Sequence, residues 1–153
     1  MILLAGCATP EPLRAPRSFP PEALITQRAV LTTRGKQFTL NGYLSLSESR
    51  GKRLIVTENF GNVLADVLVK SDGTIHVMRS SPAFRESWIR RYVAADLRCV
   101  FDKTPNGKCA VTELSSKHLV IKRWLYSLDL QILDIKPGPQ PPGMFDETTK
   151  ATR

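Results

Sequence analysis

The chain has 153 residues, which suits one domain burying roughly two-thirds of its unfolded surface. Its formal net charge is +8, with 17 Lys/Arg against 10 Asp/Glu between Leu24 and Ile135, a balance that favours anionic partners. No stretch approaches the roughly 18 apolar residues of a membrane span. The basic residues are scattered and form no recognition helix, RNP motif or zinc finger, so nucleic acid is not an expected partner.

The first segment, Met1-Ile-Leu-Leu-Ala-Gly-Cys7, resembles the end of a bacterial lipoprotein signal peptide. Two small residues fit a signal peptidase site, and the Cys7 thiol would take the lipid. Six residues before the cysteine are fewer than the charged region plus about 7–15 apolar residues of a complete signal, so 1–7 reads as a truncated signal and lipobox. Ala8 is not an Asp that would retain a lipoprotein at the inner membrane. The expected location is therefore the outer membrane, lipid-anchored, on the periplasmic face. Residues 8–23 carry Pro10, Pro12, Pro16, Pro20 and Pro21 and read as a semi-extended tether.

Strand-like segments follow from Leu24. Leu24–Thr33 turns at Arg34-Gly35. In Lys36–Leu46, Phe38, Leu40, Gly42, Leu44 and Leu46 alternate with polar residues, the period of a half-buried strand. Lys52–Phe60 is a third strand, and Val63–Lys70 a fourth that ends at the hairpin signal Ser71-Asp72-Gly73. Thr74–Met78 is a short fifth strand.

Ser81–Phe101 reads as one long helix. At about 100° per residue, Phe84, Trp88, Tyr92, Ala95 and Cys99 form one stripe, and Ile89, Val93, Leu97 and Val100 lie beside it. Ser87, Arg90, Arg91, Ala94 and Arg98 are left for solvent. So wide an apolar arc suggests a helix lying in a concave surface. Pro82 suits its first turn, with Ser80 or Ser81 as the cap.

After a Pro-Asn-Gly turn come Cys109–Leu114, Lys117–Trp124 and Leu125–Ile135, the last with Tyr126, Leu128, Leu130 and Ile132 alternating. Short connections make neighbours antiparallel. The expected class is α+β, mainly antiparallel β, with about eight strands as an incomplete barrel around one long helix over residues 24–135. The Pro/Gly-containing segment 136–153 is expected to be disordered.

In an oxidising periplasm Cys99 and Cys109 could bond, closing an 11-residue loop. Two free buried thiols are the alternative. No paired-cysteine or paired-histidine spacing suggests zinc or another metal. His76 and His118 have no companion motif, and Glu58, Asp66, Asp96 and Asp129 are isolated, each near a basic residue. Without a nucleotide loop or nucleophile motif the chain does not read as an enzyme, and no cofactor is expected.

Asn59-Phe60-Gly61-Asn62, the strand from Val63, the Ser71-Asp72-Gly73 hairpin, and Tyr92-Val93, Asp96-Leu97 and Val100-Phe101 on the helix together resemble the LolB-like group of bacterial lipoproteins. The resemblance covers Ile25 to Phe101. It implies a LolA/LolB-like half-barrel whose cavity takes acyl chains, with Phe60, Gly61, Val63, Phe84, Trp88 and Tyr92 as candidate lipid-binding residues. Phe60 stands where the group has Leu, and no proline precedes it. Two placements are open: an exposed turn like the loop of the outer-membrane receptor that belongs to this group, or an inward position continuing Leu54 and Val56. The expected function is lipid or lipoprotein handling by a membrane-anchored module whose ligand is an acyl chain or lipoprotein. The alternative is an anchored structural or adaptor lipoprotein with a packed core that binds another envelope protein.

Overall fold

The computed structural model describes residues 19–102 and 109–147. Cys7, the expected signal and lipobox over 1–7 and most of the expected tether over 8–23 lie outside these residues. Eight strands form a single antiparallel sheet: β1 Glu22–Thr33, β2 Lys36–Ser47, β3 Gly51–Glu58, β4 Val63–Lys70, β5 Ile75–Arg79, β6 Val111–Ser115, β7 His118–Lys122 and β8 Ser127–Pro137. Their order is β5-β4-β3-β2-β1-β8-β7-β6, so the sheet is open, with β5 and β6 at its edges.

Period-2 alternation decides which face is buried. Ala23, Ile25, Ala29 and Leu31 of β1 meet Leu40, Leu44 and Leu46 of β2, Leu54 and Val56 of β3, and Ala65, Val67 and Val69 of β4 in one core. Leu119 and Ile121 of β7 and Leu130 and Ile132 of β8 complete it. Between Thr26 and Gln27 the β1–β8 register slips, leaving Leu133 without a partner and exposed. The β1–β2 turn has positive φ at both Arg34 and Gly35, the type I′ geometry whose twist suits a two-residue hairpin.

The helical segment begins at Glu86, five residues later than the periodicity suggests. Pro82 lies in a preceding turn in which the Ser81 hydroxyl accepts the Phe84 N–H at 3.2 Å, and Arg85 occupies the cap position without a side-chain cap. A first turn, Glu86–Trp88, runs into a π-turn, Ile89–Val93, and then an α-helix, Ala94–Phe101. The Ala94 N–H donates to the Ile89 carbonyl, an i→i+5 bond. The extra residue in that turn shifts the phase of the helix beyond it, so Ala94, expected in solvent, is buried.

The disorder expected over 136–153 gives way to defined structure over 136–147, and residues 148–153 lie outside the described residues. Lys136 and Pro137 belong to β8. Residues 138–147 then cross to the outer face of β3–β5, held by Gly138 N–H to Glu22 O at 3.0 Å and Arg53 to Met144 O at 3.1 Å. Phe145 is buried on that face, with the Arg50 guanidinium 4.8 Å from its ring centroid. Glu147 pairs with Lys70, whose ammonium holds the carboxyl below its ordinary range. Leu68, on the outer-facing side of β4, is buried outside the main core cluster.

Candidate functional site

The helix faces the sheet through an aromatic cluster. Trp88 packs edge-on against Phe84 (5.1 Å between centroids), and lies 5.6 Å from Tyr92 and 5.4 Å from Tyr126 of the β7–β8 connection. Phe84 and Tyr126 are buried, whereas Trp88 and Tyr92 are half-buried. One polar network is sealed beside these rings. Tyr126 donates its hydroxyl to Asp96, and Arg123 reaches the same carboxylate at 2.6–2.7 Å. Burial raises the Asp96 pKa, and the hydrogen bonds from Tyr126 and Arg123 hold that rise in check. Burial also raises the Tyr126 phenol.

Between helix and sheet lies an apolar cavity of about 80 Å³, walled by Phe84, Trp88, Val93, Leu97, Leu54 and Leu130 among others. Its one unsatisfied polar atom is Gln27 Oε1. The Gln27 side chain lies across Gly42 of the neighbouring strand, where a Cβ would come within 2.8 Å of it. Glycine at 42 therefore lets a long polar side chain lie flat inside an apolar face.

The six candidate lipid-binding residues fall into two groups. Phe84 and Trp88 line the cavity, with Tyr92 packed against Trp88 beside it. Phe60 and Gly61 belong to the β3–β4 connection and Val63 opens β4, and none of the three lines it. The inward placement of Phe60 is overturned: β3 ends at Glu58, the Gly61 N–H closes the turn onto Glu58 O at 2.9 Å, and Phe60 is 93% exposed. The positive φ of Gly61 turns the chain before a further inward position is reached.

Cys99 and Cys109 are joined in a disulfide with a Cα separation of 5.6 Å. It ties the helix C-terminus to the segment leading into β6. Of the isolated carboxylates, Asp66 and Asp96 have arginine partners, Arg53 and Arg123. Glu58 instead accepts from Asn62, and Asp129 meets His118 at 2.7 Å. Among the described residues no group of three His, Cys, Asp or Glu side chains is placed to hold a metal, and no helix is long and apolar enough to cross a membrane.

A second, more polar groove of about 490 Å³ opens at the end of the sheet where β1 begins. Phe19, Phe101 and Leu46 floor it, with Lys52, Lys70 and Arg98 around them. Each of these cations is already engaged: Lys52 with Asp102, Lys70 with Glu147, and Arg98 with the Gly73 carbonyl at 2.6 Å. The groove thus offers volume without spare charge.

Sequence reasoning missed the Asp96–Arg123–Tyr126 network, whose members lie 27 and 30 residues apart, and the inward Gln27. It also placed Trp124 in a strand. Trp124 lies in the β7–β8 turn and is 86% exposed. No protein-family model matches the chain, and no curated protein matches it in sequence.

Proposed function

We propose that this protein is an envelope lipoprotein with a LolB-like half-barrel, held at the periplasmic face of the outer membrane by an acylated Cys7. In this reading it binds another envelope protein through its surface. The observation that carries the adaptor reading is the size of the space under the helix. About 80 Å³ is far below the roughly 300–1,000 Å³ of small-molecule sites, which favours reading the half-barrel as a packed support. Binding rather than catalysis fits the polar interior, because the Asp96 carboxylate is occupied by Arg123 and Tyr126.

One observation favours the lipid-handling reading. A phenylalanine at 93% exposure forgoes roughly 1.5–3 kcal/mol of burial free energy, which becomes available on contact with an acyl chain. In that reading the helix must move from the sheet before a chain can enter.

Native mass spectrometry of the protein, purified from its own membrane in mild detergent, separates the two. The adaptor reading expects the mass of the acylated chain with no additional lipid, and no displacement of a fluorescent fatty acid by added phospholipid. A stoichiometric co-purifying lipid overturns it in favour of acyl binding. An unmodified Cys7 in the protein purified from its own membrane removes the anchor.

A further inference from the structure

The strand register collects at one end of the sheet what looks scattered along the sequence. The β1–β2 and β7–β8 hairpins both turn at the end where β1 finishes, because Thr32 pairs with Gln37 on one side and Ser127 on the other, and Ser127 pairs with Lys122. β1 and β8 are adjacent strands, and the Thr33 hydroxyl ties the two turns by donating to the Leu125 carbonyl at 3.0 Å. The β2–β3 pairing starts only at Leu40, so Lys36–Thr39 project beyond β3 as an exposed arm.

These two turns carry Arg34, Lys36, Lys122 and Arg123, while the stretches Thr32–Thr39 and Lys122–Ser127 contain no Asp or Glu. Arg123 is committed to Asp96. Arg34, Lys36 and Lys122 make no ion pair among the described residues. Set between these cations are Trp124, 86% exposed, and Phe38, 47% exposed. The opposite end is different in kind: its charges are largely neutralised in pairs, Glu22 with Arg50, Lys52 with Asp102 and Lys70 with Glu147.

We propose that the paired β1–β2 and β7–β8 hairpin tips, through Arg34, Lys36, Lys122, Phe38 and Trp124, dock on an anionic phospholipid surface. Unpaired cations attract a negatively charged leaflet at about 1 kcal/mol per residue near the surface. An indole on a hairpin tip belongs at the headgroup level, where its ring meets hydrocarbon and its N–H stays wet. Cations alone would suit any polyanion, and the two exposed rings beside them select a surface with an apolar layer beneath the charge. This docking does not depend on whether the space under the helix takes an acyl chain.

The test uses the full chain carrying Cys7→Ser, so that no lipid anchor contributes. It is mixed with vesicles of phosphatidylethanolamine and phosphatidylglycerol, and separately with vesicles of phosphatidylcholine alone. Binding to the anionic vesicles only, weakening with added salt, is expected, with a blue shift of tryptophan emission. Trp124→Ser should abolish the shift, since Trp88, the other of the two tryptophans, lies against the sheet. Arg34→Asn together with Lys36→Gln should weaken binding roughly tenfold to thirtyfold, with Asn tolerating the positive φ at 34. All these positions are exposed, so melting temperatures should stay at the parent value. Equal binding to both vesicle types, or undiminished binding by the double variant, overturns the proposal. So does binding to a single-stranded oligonucleotide with none to vesicles, which would assign the patch to nucleic acid.

Discussion

The hydroxyl of Tyr126 donates a hydrogen bond to the buried carboxylate of Asp96, joining the β7–β8 connection to the middle of the helix. Tyr126→Phe keeps the ring and its contacts with Trp88 and Tyr92 but leaves Asp96 with Arg123 alone. The loss of a hydrogen bond to a charged group should cost about 1.5–3 kcal/mol, read as a lower denaturation midpoint with unchanged slope. An unchanged midpoint would mean that water replaces the phenol.

The same network sets a pH dependence. Burial raises the folded Asp96 pKa above its unfolded value, so folding takes up a proton. The stability this group contributes is complete below the ordinary Asp range near about 4 and is lost as pH rises through the higher folded value. Asp96→Asn lacks that component. The stability difference between wild type and Asp96→Asn should therefore move against the wild type as pH climbs from about 4 upward. A difference moving the other way would show that the Arg123 pairing outweighs burial.

Reduction of Cys99–Cys109 frees the helix C-terminus from β6. A loop this short is worth up to about 3 kcal/mol, and about 1 kcal/mol moves a domain of this size by roughly 2–6 °C. A melting temperature several degrees lower in reductant is expected, and none of that fall should remain in a Cys99→Ser/Cys109→Ser protein. Equal melting temperatures with and without reductant would refute the contribution.

Phe60 and Trp88, both candidate lipid-binding residues, should separate cleanly. Phe60→Glu exposes nothing new and should leave stability within about 0.5 kcal/mol. Trp88→Ala removes a half-buried ring from three aromatic partners and should cost about 2–3 kcal/mol, below the 3–5 of a fully buried tryptophan. Urea titration of the two variants checks both. Early unfolding of Phe60→Glu would mean that its turn folds back onto the body.

Phe145→Ala should release the C-terminal strap without unfolding the sheet. Amides of residues 138–147 are then expected to exchange with solvent faster than in the wild type, while β1 and β2 keep their protection. Uniformly faster exchange throughout would show that the strap supports the whole fold.

The strands were legible because their burial follows a two-residue period that short turns preserve, as at Arg34-Gly35 and Ser71-Asp72-Gly73. The helix was legible except at its start and in its phase. Pro82 and Ser81 suit a helix start and equally a turn, and packing chose the turn. The π-turn at Ile89–Val93 breaks the 3.6-residue period from which Ala94 was assigned to solvent. Met144 and Phe145 are a lone apolar pair among Pro, Gly and acidic neighbours, and only the face that Phe145 covers, with Leu68 beneath the strand surface, makes it structural. Trp124 favours strands by composition, but the chain has already turned when it is reached. The Asp96 network joins residues distant in sequence, and no local pattern announces it.

β1 gives the body a direction. It starts beside Pro20 and Pro21 and finishes at Arg34, about 40 Å away for twelve residues at roughly 3.3 Å each. The thirteen residue-to-residue steps from Cys7 to Pro20 cannot stretch beyond about 45 Å, whatever path they take. Leash and body are thus almost equal in length. Were Cys7 the membrane anchor proposed above, a tip-down posture bringing Trp124 to the same leaflet would raise the start of β1 about 40 Å above it and need that segment almost fully extended. Standing upright on a slack segment, the molecule would offer that tip to whatever faces the membrane across the gap. Removing half of that segment would then forbid the first posture and leave the second untouched, so its length would select between near and far surfaces.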